Sequence, residues 1–156
     1  MKPRAIAILF LFFTLPVFSS AAASDFGVGF AAGEPTGFAL CFVPGQDYAI
    51  AAVAGWSFSE PEGAHLHFDY VMGDRLGPTG RGSPIYNGIG IRFQLYDDGG
   101  KRLIGARFPM GLLFPAKHRR FDLFIEVVPM LDLEPETAFD FAGALGMRFY
   151  FGGRVT

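Results

Sequence analysis

Beyond its first 23 residues the sequence has no long apolar run. No later segment supplies the roughly 18 or more consecutive apolar residues that a membrane-spanning helix requires. Cysteine is nearly absent as well. Cys41 stands alone, which excludes an internal disulfide framework. It lies too far along the chain to be a lipidated first residue after leader removal, and it reads as a small packed side chain. An excess of one charge is also lacking: 13 Lys and Arg face 15 Asp and Glu, for a net charge of −2. With no Lys- or Arg-rich tract on the scale of a nucleic-acid-binding arm, no nucleic-acid partner is expected. Cofactor and metal motifs are missing too. Gly27-x-Gly29 and Gly88-x-Gly90 are period-two glycines with no helix behind them to receive a phosphate. There is no HExxH and no cysteine pair, so no cofactor is expected.

What the sequence does have is phenylalanine and glycine, 19 and 21 of its 156 residues. Phenylalanine favours strands, and glycine marks turns, bulges and close-packed interiors. The pair points to an all-β protein, and the length suits a single domain.

The chain opens with Lys2 and Arg4, followed by an apolar run over 5–18 that is broken by Thr14 and Pro16. The small residues Ser19, Ser20, Ala21, Ala22 and Ala23 come next. A positive start, a short apolar core and an Ala21-x-Ala23 end describe a cleaved secretory signal peptide over 1–23. The single domain is then 24–156, exported by a Sec-type route.

From Ser24 onward, turn-forming clusters at 33–36, 44–47, 59–63, 73–83, 97–100, 115–120 and 134–137 separate eight apolar-rich runs. The runs lie at 25–32, 37–43, 48–58, 65–72, 84–96, 102–114, 121–133 and 138–151. Several reach the nine to eleven residues or so of a tilted membrane strand. Short connections between sequential strands favour an antiparallel up-and-down meander.

Side chains of a strand alternate between its two faces. In the fifth run Ile85, Ile89, Ile91, Phe93 and Leu95 oppose Tyr86, Gly88, Gly90, Arg92 and Gln94. In the eighth, Phe139, Phe141, Leu145, Met147, Phe149 and Phe151 oppose Asp140, Ala142, Ala144, Gly146, Arg148 and Tyr150. One face is bulky and apolar; the other is small, with occasional charges. A soluble barrel would turn the bulky face inward around an apolar ligand, and its outer face would then carry Lys, Glu, Thr and Ser. A second face made mainly of Gly and Ala suits instead the narrow interior of a small barrel, with the bulky face toward lipid. Aromatics near run ends (Trp56, Phe58, Tyr70, Phe114, Phe121, Phe139 and Phe151) fit interfacial girdles.

This assignment sends Asp69, Arg92, Arg107, Glu126, Asp132, Asp140 and Arg148 into the lumen, with His65 and His67. Charges removed from water must be paired. Arg92, Arg107 and Arg148 are therefore expected to pair chiefly with Glu126, Asp140 and Asp69, in a structural network that fills the lumen. His65-x-His67-x-Asp69 places three polar groups on one strand face, a spacing that suits a metal ion or a His-Asp general base. Ser57 and Ser59 are the nearest candidate nucleophiles, and neither lies on that strand. A short polar cluster of this kind is more often structural, and no catalytic or metal residue is assigned.

Gly27-Val28-Gly29-Phe30-Ala31-Ala32-Gly33-Glu34-Pro35-Thr36-Gly37 resembles the opening hairpin of small bacterial OmpA-like outer-membrane barrels. Similar pieces are Ala54-Gly55-Trp56-Ser57-Phe58, His65-Leu66-His67-Phe68-Asp69-Tyr70, Tyr86-Asn87-Gly88-Ile89-Gly90, Gly105-Ala106-Arg107-Phe108-Pro109-Met110-Gly111-Leu112, Phe124-Ile125-Glu126-Val127-Val128-Pro129 and the closing Phe149-Tyr150-Phe151. The resemblance spans the mature chain. It implies an eight-stranded transmembrane β-barrel in the outer membrane of a Gram-negative-type bacterium. Outer-membrane lipid and the barrel-insertion machinery would be its partners, and an extracellular protein is a further partner the family admits. Two features depart from the family pattern. The longest connection, 73–83, falls on the periplasmic side if both termini are periplasmic, and Phe151 is followed by five more residues rather than ending the chain.

The expectation is a small outer-membrane barrel of structural or interaction role without enzymatic activity. The alternatives are a soluble periplasmic barrel carrying an apolar ligand, a lipid-modifying barrel enzyme using His65, His67 or Asp69, and a pore.

Overall fold

The computed structural model describes residues 24–45, 47–58, 63–74, 76, 82–96, 101–116 and 120–151. The signal peptide at 1–23, Ser59 and the last five residues lie outside the described residues, as do parts of several connections. Among the described residues every regular element is a strand: β1 (Asp25–Gly33), β2 (Thr36–Val43), β3 (Tyr48–Ser57), β4 (Gly63–Gly73), β5 (Ile85–Tyr96), β6 (Arg102–Arg107), β7 (Met110–Pro115), β8 (Phe121–Glu134) and β9 (Ala138–Phe151).

Apart from β6 and β7, successive strands pair antiparallel, and the sheet closes because β1 also pairs with β9, from Phe26↔Phe151 to Gly33↔Ala144. The result is an all-β antiparallel meander without a free edge. It has nine strands rather than the eight expected, because the predicted run at 102–114 is divided at Phe108-Pro109. Proline has no N–H to donate, so a ladder hydrogen bond is lost at Pro109. The neighbours bridge the break: the Phe108 N–H donates to the Pro129 carbonyl (2.9 Å), and the Gly88 N–H donates to the Pro109 carbonyl (2.8 Å). As a result β6 and β7 share the same two neighbours, β5 and β8, and fill one place in the ring.

The faces follow the period-two pattern. Ile85, Ile89, Ile91, Phe93 and Leu95 are exposed, whereas Tyr86, Arg92 and Gln94 are buried. In β4 Leu66, Phe68 and Tyr70 point out and His65, His67 and Asp69 point in. The barrel is thus apolar outside, and its interior mixes small and aromatic apolar side chains with all of the buried charged groups.

Glycines make room for the large inward side chains. The Phe124 ring lies over its cross-strand partner Gly146, where an added Cβ would stand 2.3 Å from the Phe124 ring and 2.4 Å from the Phe30 carbonyl. Tyr86 lies over Gly111 in the same way, and Asp69 lies over Gly90. At outward-facing Gly143 an added Cβ meets only the Glu126 carbonyl, at 3.8 Å. Gly146→Leu is therefore expected to destabilise the barrel by about 1–3 kcal/mol through overpacking, while Gly143→Ala changes stability by less than about 0.5 kcal/mol. Urea midpoints of the two variants, measured side by side, check this. Equal midpoints would refute close packing at Gly146.

Candidate functional site: the lumen charge network

The interior polar groups are stacked along the barrel axis. Near the end that carries the chain termini, Arg148 sits directly opposite Asp122 in the β8–β9 register. Its Nε and Nη2 donate to the two Asp122 carboxylate oxygens at 3.1 and 3.2 Å, and the Tyr150 hydroxyl donates to Asp122 Oδ2 at 2.7 Å. The Arg148 guanidinium also lies 4.7 Å from the centre of the Phe124 ring, within cation–π range. Two parallel N–H···O bonds to one carboxylate are the strong geometry for such a pair.

At mid-height Arg107 is the hub. Its Nε lies 2.9 Å from Asp69 Oδ1 and its Nη2 lies 3.7 Å from Glu126 Oε2. The Asp69 contact is a close ion pair rather than an aligned hydrogen bond. Nη1 donates to His67 Nδ1 at 2.6 Å, so that ring nitrogen is the acceptor. The other carboxylate oxygen of Glu126 accepts the Tyr86 hydroxyl at 2.6 Å. One guanidinium thus serves two carboxylates, and a tyrosine supplies a further donor. Toward the far end Arg92 donates from Nε to Asp132 Oδ1 at 2.9 Å, and its Nη2 reaches Asp140 Oδ2 at 3.3 Å. Asp140 is half exposed there, at the mouth. A rim pair, Arg102 with Glu134 at 3.1 Å, closes this end of the stack.

All seven charged residues assigned to the lumen from sequence lie on the inward face; three of the observed pairs use the expected carboxylates Asp69, Glu126 and Asp140, and two bring in carboxylates outside that set. Arg107 meets Asp69 and Glu126. Arg92 takes Asp132 first and Asp140 second. Arg148 pairs with Asp122, which has the same parity in β8 as Glu126 and Asp132 and is a partner the sequence expectation does not name. Tyr86 and Tyr150 were likewise not singled out. Their parity with Arg92 and Arg148 was the available signal.

The histidines are held within the same network. His65 Nε2 lies 3.3 Å from His67 Nδ1, and His67 Nε2 lies 3.6 Å from Asp69 Oδ2. The Arg107 guanidinium stands against both His67 and Asp69, where a metal ion held by that face would sit. Among the described residues no three His, Cys, Asp or Glu groups converge to hold a metal ion. Ser57 is buried, but its cross-strand partner is Gly63, and Gly55 is the residue opposite His65. A cavity of about 20 Å³ beside Arg107, between Ala31, Ala39 and Val53 on one wall and His67, Asp69 and Glu126 on the other, has room for a single water. Among the described residues the interior pairs and packs its charged side chains.

No family model matches the chain, and no curated protein matches it. Among solved structures it is similar to the N-terminal β-barrel domain of Pseudomonas aeruginosa OprF, with a TM-score of 0.63 and 16% sequence identity, over 83% of this chain and 98% of that one. With that neighbour, the closed antiparallel meander and the inward charge stack identify the fold of this chain as that of an OmpA-like β-barrel.

Proposed function

We propose that this chain is an outer-membrane β-barrel of structural or interaction role, without enzymatic activity, whose lumen is filled by its own charge network. The observation that carries this reading is the inverted distribution of polarity. Among the described residues 31 large apolar side chains are exposed, with Phe38 and Phe139 each at 65%. Between the strand ends, the outward positions hold no charged side chain and a single carboxamide, Asn87. Soluble monomers rarely expose contiguous apolar patches beyond a few hundred Å², and lipid is the solvent in which a continuous apolar band is stable. Inside, the three arginines are engaged by carboxylates. That arrangement supports a plugged lumen over a water-filled channel.

Cell fractionation, with heated and unheated samples run on the same gel, tests this. The protein is expected in the outer-membrane fraction, with a compact band that shifts on heating. In planar bilayers it is expected to show no sustained open-channel conductance. A monomer soluble without detergent would overturn the membrane assignment. A steady large conductance would leave that assignment standing and remove the plug.

A further inference from the structure

At mid-height one guanidinium, Arg107, stands against two carboxylates, Asp69 and Glu126. Tyr86 of β5 adds only a neutral hydroxyl to Glu126. The β3 wall adds no charge, since Ala51 is the cross-strand partner of Asp69 and Val53 that of His67. Arg92 of β5 is committed to Asp132 and Asp140, and Arg148 of β9 to Asp122. With both carboxylates ionised the layer holds one negative charge in excess. Such a charge is costly in a buried layer unless a further cation joins it. The cavity beside Arg107, about 20 Å³, has room for a single water and not for a hydrated metal ion. The cation that fits is a proton.

The two histidines are arranged to deliver it. A guanidinium has donors only, so His67 Nδ1, 2.6 Å from Arg107 Nη1, is a lone pair, and the hydrogen of the neutral ring sits on Nε2. His65 Nε2 lies 3.3 Å from that same lone pair and is therefore the donor of the His65 ring. This leaves His65 Nδ1 as an acceptor. His65 is 4% exposed, and its Nδ1 has no hydrogen-bond partner among the described residues. At the other end of the row, His67 Nε2 faces Asp69 Oδ2 at 3.6 Å, while Arg107 Nε meets the other oxygen, Oδ1. Residues i, i+2 and i+4 of β4 thus form a row along the barrel axis, with both ring hydrogens directed toward Asp69. The empty acceptor is at the far-end side of the row, where β4 begins at Gly63 and where the Asp140 side chain is half exposed. Toward the end with the termini, Arg148, Asp122 and Tyr150 are all buried.

We infer that His65 and His67 form a proton relay that loads Asp69, in the middle of the plug, from the far mouth of the barrel. A proton from water binds His65 Nδ1. The Nε2 proton of His65 passes to His67 Nδ1, and the Nε2 proton of His67 passes to Asp69 Oδ2. The net change is one proton gained by Asp69; both rings stay neutral with their hydrogens moved to Nδ1, and back-transfer or ring rotation resets them. Both separations lie a few tenths of an ångström beyond proton-transfer reach, a gap that rotation of the rings closes. Arg107 Nη1 must leave His67 Nδ1 while that nitrogen carries a proton, and Glu126 holds the guanidinium meanwhile. The inference rests on the plugged lumen proposed above and adds to it a ligand, the proton, and the end from which it enters.

The test is an acid jump on the folded mature protein in micelles, followed by time-resolved infrared difference spectroscopy. Wild type is expected to show the rising carbonyl band of a buried carboxylic acid, and D69N should lack that band. H65F should reach the same final band about 100-fold more slowly. Micelles bathe both ends of the barrel in one buffer, so a slow H65F also shows that the end with the termini does not supply the proton. If H65F fails to fold, H65A reads the same step: it should be slow alone and recover when imidazole is added to the buffer. A merely structural His65 would shift the urea midpoint of these variants and leave the rate unchanged. An equal rate in wild type and the folded His65 variant, or a band that survives in D69N, would overturn the relay and leave the plugged barrel intact. A steady open-channel conductance of wild type in planar bilayers would overturn the plug and the relay together.

Discussion

Arg107→Met is expected to lower the unfolding free energy of the barrel by about 3–5 kcal/mol, the cost of leaving buried carboxylates without their counter-charge. Arg107 is 2% exposed and Asp69 is 3% exposed, so water cannot take over the lost pairing. Glu126 keeps the Tyr86 hydroxyl, but a neutral donor does not balance a carboxylate. Arg107→Lys retains the charge and loses the planar fork that reaches Asp69, Glu126 and His67 together, so its loss is smaller. The combination of Asp69→Asn, Arg107→Met and Glu126→Gln removes all three charges at once and should recover most of the stability, as neutral replacement of a buried ion cluster does. Urea titrations of the four proteins in micelles, followed by loss of the compact electrophoretic form, measure this. An Arg107→Met midpoint equal to wild type would show that the mid-lumen charges are solvated rather than paired with one another.

The second large effect lies on the opposite face. Ile91 points outward at mid-height in β5, between Phe68 of β4 and Ala106 of β6. Replacing it with arginine places a charge at the centre of the apolar band, where the cost in a bilayer is about 2–4 kcal/mol. Leu95→Arg, one residue from the end of β5, falls near the interface and should cost about 0–1 kcal/mol. This depth dependence is the diagnostic. Both sites are well exposed, Ile91 at 48% and Leu95 at 61%, so in a water-soluble barrel either substitution would be nearly neutral. Folding yield into lipid vesicles and the urea midpoint report the difference. Two equally small effects would return the outer surface to water.

What could be read from the sequence was whatever depends on parity and punctuation. The alternation through Ile85–Tyr96 and Ala138–Phe151 separates outward from inward residues without knowledge of neighbours, and clusters such as Asp97-Asp98-Gly99-Gly100 bound the strands. Partner choice depends on register, which no single strand contains. Arg148 meets Asp122 because β8 and β9 align those two residues, and Arg92 reaches Asp132 across a bulge that shifts the β6–β8 register at Ile104 and Gly105. The division of one run into β6 and β7 follows from a proline whose effect depends on what Pro129 and Gly88 offer opposite it.

The pairing of β1 with β9 joins the first and last strands of the domain. This seam sets the order in which the molecule can be made. Each hairpin can form from neighbours in the chain, but the final ladder waits for the last strand to emerge and must close a loop of nearly the whole domain. Until then β1 and the growing end present two unsatisfied edges, each a template for pairing with another chain. Premature termination anywhere before β9 leaves those edges permanently open, so the truncated product is a nucleus for aggregation rather than a smaller version of the protein.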